Sequence, residues 1–131
     1  MLRIIAGTIL TTAVASAVAA QSPPTPSRWT NQRGSILEIT SVDPEGVITG
    51  KFTNNVAGTD CRGTPYDIVG HTLKTGFFFG VTFAACSSIV SWRAVDVTGT
   101  SITSSWVLSY IDRVDGIVVT LTDIDTFTRL P

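Results

Sequence analysis

The sequence is poor in the groups that most often carry chemistry. It holds one histidine, one methionine and two cysteines in 131 residues. The single histidine, His71, follows Gly70 and has no carboxylate or nucleophile beside it in sequence. It reads as an exposed or interfacial strand residue. One histidine and two distant cysteines make a poor ligand set, so no metal site is expected. The signatures G-x-S-x-G, H-E-x-x-H and a phosphate-binding loop are all absent, which removes the common hydrolases, zinc peptidases and nucleotide-binding folds. Asp123 and Asp125 lie two apart with no further ligands near them, too little for metal or acid–base work. The chain is expected not to be an enzyme. There is no run of Lys or Arg, which argues against nucleic acid as a partner.

Also missing is any convincing helical period. From Trp29 onward, short alternating segments recur with turn signals between them, the pattern of an all-β sandwich or barrel. Before that point the chain is different. Arg3 gives a short basic start, Ile4 to Val14 is apolar, and Ala17-Val18-Ala19-Ala20 offers a small-residue cleavage site. Residues 1–20 read as a signal peptide cut after Ala19 or Ala20, since the apolar run is short for a membrane anchor. The mature protein is then secreted or periplasmic, with no membrane attachment. Residues 21–27 hold three prolines and read as a flexible leader, leaving 28–131 as one domain. The formal charge of −1 becomes roughly −2 once Arg3 is removed. An even cysteine count in an exported chain makes a disulfide between Cys61 and Cys86 the expectation, with two free buried thiols as the alternative.

Strands are expected at Arg28–Asn31, Ser35–Val42, Val47–Asn54, Tyr66–Leu73, Gly76–Phe83, Ile89–Val97, Ser101–Ile111 and Ile117–Leu130. Most links between them are short, and short links join antiparallel neighbours. The simplest arrangement is an eight-stranded antiparallel up-and-down barrel. The long exception, Asn55 to Pro65, falls where a lid would cover the mouth of a small barrel. Alternation puts Ser35, Leu37 and Ile39 on one face, and Ile48, Gly50, Phe52 and Asn54 on another. Phe77, Phe79, Val81 and Phe83 share a face, as do Val90, Trp92 and Ala94, and Ser104, Trp106 and Leu108. Asn31, Ser35 and Asn54 among apolar residues are too polar for an ordinary core. They suit the wall of a ligand cavity.

The segments W-T-N-Q-R-G-S, G-x-I-T-G-K-F, S-S-I-V-S-W, S-S-W-V-L and D-T-F-T-R-L, taken in order, resemble the strands of the avidin and streptavidin family. The likeness spans Arg28 to Leu130. Cys61 and Cys86, with G-T-D-C-x-x-x-P-Y in the lid, resemble the disulfide-bearing dimeric bacterial avidins in particular. The resemblance implies biotin as the ligand, no cofactor and a homodimer. It gives Asn31 and Ser35 to the ureido oxygen, and Asn54 and Asp125 to the two ureido N–H groups. Trp92 and Trp106 become ring-stacking walls, and Phe83 stands where a further tryptophan is common. Ser88, Ala57 and Gly58 match positions around the valerate carboxylate.

The chain departs from the family pattern at several positions. Phe52 takes a usual tyrosine position, Val90 a usual threonine and Arg33 a usual small or apolar residue. Nothing near Ile117 supplies the tryptophan that tetrameric members lend to a neighbour, which fits a dimer. Two lost hydrogen bonds of about 1–3 kcal/mol each would weaken affinity by roughly 10²–10⁴. Two alternatives follow from the residues. One is an exported small-barrel protease inhibitor acting through the segment Gln21 to Ser27. The other is an avidin-like protein adapted to a different small ligand.

Overall fold

The computed structural model describes residues 11–13 and 22–131. The signal-peptide reading falls outside them, apart from 11–13. The described chain forms strands β1 (Ser27–Asn31), β2 (Ile36–Val42), β3 (Val47–Thr53), β4 (Pro65–Asp67), β5 (Val69–Leu73), β6 (Gly76–Phe83), β7 (Ser88–Val97), β8 (Ser101–Ile111) and β9 (Val118–Arg129). Successive strands pair antiparallel, except that β4 and β5 both pair with β3, and β1 pairs with β9 through Trp29 opposite Arg129. That last pairing closes an eight-stranded antiparallel barrel. A closed barrel has no free edge along which another chain's strand can add.

Nine strands make eight staves because one expected strand, Tyr66–Leu73, is interrupted at Ile68. β4 and β5 both pair with β3 in one unbroken register, with Phe52 opposite Tyr66 and Ile48 opposite Gly70. Between them the Ile68 N–H donates to the Gly50 carbonyl at 3.1 Å, and its side chain is buried. Gly50 itself sits where β2 and β3 crowd together: a Cβ there would run into the Glu38 carbonyl oxygen. The β2–β3 turn is built by Asp43, whose carboxylate accepts from the N–H groups of Glu45 at 3.0 Å and Val47 at 2.8 Å. Gly46 closes it at φ +91°, a conformation that side chains avoid.

The inner faces follow the alternation. Leu37, Ile39, Ile48, Phe52, Phe77, Phe79, Val81, Val90, Trp92 and Ala94 are all buried and form one cluster with Trp29, Ile102 and Phe127. Phe79 is its centre, stacked on Trp92 with ring centroids 4.7 Å apart and planes 9° apart. At the end of the barrel where the chain enters, the Trp29 indole N–H donates to Ser27 Oγ at 2.8 Å, and Ser27 donates to the Pro24 carbonyl at 2.6 Å. Pro23 is buried. The described part of the segment read as a flexible leader is therefore tied to the barrel, because Ser27 serves both β1 and the indole.

Candidate ligand-binding site

The other end of the barrel opens into a cavity of about 420 Å³, within the range of small-molecule sites. Its polar wall begins at the β1–β2 turn. Asn31 Oδ1 accepts the N–H groups of Arg33 at 3.0 Å and Ser35 at 2.9 Å, while its amide donates to Asp125 Oδ2 at 3.3 Å. Using its own oxygen to hold the turn, Asn31 presents its N–H₂ to the cavity side. Ser35 Oγ accepts the Asn55 N–H at 3.0 Å and reaches Asn54 Oδ1 at 3.5 Å. Asn54 Oδ1 also accepts the Val56 N–H at 3.0 Å, and its amide donates to Thr59 Oγ1 at 2.9 Å. Both lone pairs of the Asn54 oxygen are thus engaged in shaping the lid.

Asp125 projects inward from β9, with its side chain only 4% exposed. The Trp92 indole N–H donates to its Oδ2 at 2.8 Å. Gln32 Nε2 donates to its Oδ1 at 3.1 Å, and the Arg33 guanidinium also pairs with Oδ1. Asp123, on the same side of β9, lies at the rim, 60% exposed and 3.1 Å from Arg33 Nη2. No register shift in the β8–β9 ladder was needed to put it there.

The apolar walls come from Phe52, Phe83, Val90, Trp92, Trp106 and Leu108. Phe52 packs tilted against Trp92, centroids 4.5 Å and planes 45° apart, and meets Phe83 edge-on at 6.3 Å. Trp106 is the exception to full pairing. Its indole nitrogen is buried without a hydrogen-bond partner among the described residues, and Arg33 lies over its ring, 5.3 Å from the centroid. An aromatic box with one donor left free is suited to a ligand that is mostly apolar and carries an acceptor.

The lid is stapled. Cys61, in the loop after β3, bonds to Cys86, in the short 3₁₀ turn after β6, with Cα atoms 6.1 Å apart. The Tyr66 hydroxyl lies 3.3 Å from Cys61 Sγ. Across the mouth, Asp60 of the lid pairs with Arg113 of the β8–β9 turn at 2.7 Å.

Asn31, Ser35, Phe52, Asn54, Phe83, Ser88, Val90, Trp92, Trp106 and Asp125 all line this one cavity. Ala57 and Gly58 are exposed and line none of it. Val56, Thr59 and Asp60 take their place: Asn54 Oδ1 holds the Val56 N–H and Thr59 Oγ1 donates to the Val56 carbonyl, while Ala57 and Gly58 stay outside. Tyr110 was legible by continuing the alternation from Ser104, Trp106 and Leu108. Val56, Thr59 and Asp60 carried no such signal, since a loop has no parity. The cavity also draws on Cys86.

The avidin family model matches residues 19–130. The chain belongs to the avidin family. It is 35% identical over 104 residues to Afifavidin of Afifella pfennigii, covering 72% of this chain and 64% of that protein's length. Among solved structures, a bradavidin2–biotin complex superposes with a TM-score of 0.76 at 42% identity, over 82% of this chain and 98% of that one. A rhizavidin–biotin complex superposes with a TM-score of 0.71 at 31% identity, over 82% of this chain and 93% of that one.

Proposed function

We propose that this avidin binds biotin non-covalently inside the barrel, and breaks no bond in it. The observation that carries this reading is Asp125: a nearly dry carboxylate at the end of an aromatic box, beside the Asn31 amide, in a cavity that the Ser35 hydroxyl also lines. Biotin presents one carbonyl oxygen and two N–H groups on an otherwise apolar bicycle. Asn31 and Ser35 donate to the oxygen, and Asp125 accepts one N–H. Trp92 and Trp106 close over the rings. The tail carboxylate points to the mouth, where Ser88 and the lid lie. Bound biotin complexes of bradavidin2 and rhizavidin support the assignment.

Affinity is reduced relative to a fully equipped site, because Phe52 and Val90 bring no hydrogen-bonding group. A titration of the mature protein with biotin, run beside Phe52→Tyr, tests ligand and orientation together. Phe52→Tyr puts a hydroxyl on a ring that already faces the cavity. It should strengthen binding by about 0.5–1.5 kcal/mol, the net value of a typical hydrogen bond. Absence of biotin binding in both proteins would remove the reading. Equal affinity in the two would place the ureido oxygen away from Phe52.

Export to the periplasm or beyond fits the disulfide. A homodimer fits the outer face of β7 to β9, where Ile89, Val107, Ile111, Val118 and Ile124 are exposed. Light scattering on the mature protein should give about twice the chain mass; a monomeric mass would leave that apolar face without its partner. The inhibitor alternative needs a free N-terminal segment. Burial of Pro23 and the pairing of Ser27 count against it.

A further inference from the structure

We propose that Arg33 competes with the ligand for Asp125, so that biotin enters only by displacing the guanidinium from its ion pair. The inference rests on the biotin reading above and adds a built-in competitor to it. A carboxylate has about four lone-pair sites, and Asp125 fills all of them from within the chain. Asn31 and Trp92 donate to Oδ2, and Gln32 and Arg33 to Oδ1. A ligand N–H can join only if one donor leaves.

The anchoring of the four donors decides which one goes. Trp92 is buried between Phe52 and Phe79. Asn31 is held by two backbone N–H groups of its own turn. Gln32 is tied at both ends of its amide, donating to the Ile124 carbonyl at 2.9 Å and accepting the Thr126 N–H at 3.0 Å. Arg33 differs in its partners: among the described residues its guanidinium meets only the Asp123 and Asp125 carboxylates and the Trp106 ring, with no backbone group to hold it. Its side chain is 32% exposed, its stem is long, and its second nitrogen already holds Asp123 at the rim. Swinging outward, it keeps Asp123 as a partner and leaves the bare Trp106 face to the ligand. The same movement opens the cavity wall and frees the acceptor.

A competitor of this kind reverses the usual effect of salt. Ions weaken a partly exposed pair in the empty protein, which lowers the cost of displacement and tightens ligand binding. The test uses biotinamide, which lacks the tail carboxylate and its own salt dependence. Titrations at about 50 mM and 500 mM salt span the range over which such a pair is screened. Wild type should bind a few-fold tighter at high salt. Arg33→Ala, shown to be folded by its thermal transition, should bind roughly tenfold tighter at low salt and lose the salt dependence. Binding that weakens in Arg33→Ala would make the guanidinium a ligand contact and overturn the proposal. Unchanged affinity, or the same salt response in both proteins, would overturn it as well while leaving biotin as the ligand. Failure of both proteins to bind would take down the biotin reading and this inference with it.

Discussion

Asp125→Ala is expected to weaken biotin binding by roughly a hundredfold or more, the largest loss of any single change in the polar wall. Removing the carboxylate leaves a ligand N–H buried without an acceptor, which costs about 1–3 kcal/mol, and more where the lost partner is charged. About 3 kcal/mol corresponds to a little over two powers of ten at about 1.4 kcal/mol each. The damage extends beyond the ligand. The indole of Trp92 and the amide of Asn31 both donate to Oδ2, and both lose their partner. Asp125→Asn separates the two effects, since it keeps the shape and one acceptor oxygen while removing the charge. Calorimetry should rank the three proteins wild type, Asn, Ala in falling affinity. In an Arg33→Ala background the Asp125→Ala loss should grow, because there Asp125 serves the ligand with no competitor to displace. Equal affinity of wild type and Asp125→Ala would mean that the ligand sits elsewhere in the cavity.

The inner wall of the barrel was legible because closure preserves parity. Phe77, Phe79, Val81 and Phe83 share a face in any regular strand, and antiparallel pairing with β5 and β7 keeps that face inward from end to end. The polar positions Asn31, Ser35 and Asp125 were conspicuous for the same reason, being polar on faces that are otherwise apolar. Asp123 shares the parity of Asp125, and a second aspartate on that face reaches water only at the rim, which is where it lies.

Two things could not be read from spacing. The lid depends on Asn54 and Thr59 bonding within a loop, where no periodicity tells an inward residue from an outward one. Ala57 and Gly58 come from the family resemblance, and the cavity lining runs instead through Val56, Thr59 and Asp60. Arg33 was visible as a misfit, but its direction is set by carboxylates ninety residues further along the chain. An arginine at a barrel mouth points to water or to a buried charge according to what the last strand offers. Here the last strand offers two aspartates in a row along one face. The free indole N–H of Trp106 belongs to the same account. A buried donor calls for a partner, and in this site the ligand or its water is the one place left to find it.

Phe79→Ala is expected to be among the most destabilising single changes in the chain. The ring is wholly buried and touches the cluster on several sides: stacked on Trp92, edge-on to Phe127 at 6.3 Å, tilted toward Phe52 at 6.4 Å and stacked with Phe77 at 6.1 Å. Truncating a buried phenylalanine costs about 3–5 kcal/mol, the lost transfer energy plus the cavity left behind. For a domain of this size that lowers the melting temperature by on the order of 20 °C, at about 4–8 °C per kcal/mol. Phe79→Leu refills part of the space and should recover more than half of the loss. The site is affected through Trp92, whose ring loses its support on one face but keeps its bond to Asp125. Biotin affinity in Phe79→Ala should therefore fall less than in Asp125→Ala, while stability falls far more. Excess biotin at about 100 times its Kd should return roughly 2.7 kcal/mol, since it binds only the folded barrel. Thermal unfolding followed by circular dichroism, with and without ligand, measures both. A shift below about 5 °C for Phe79→Ala would mean that the barrel collapses to fill the gap and that Trp92 does not depend on this ring for its position.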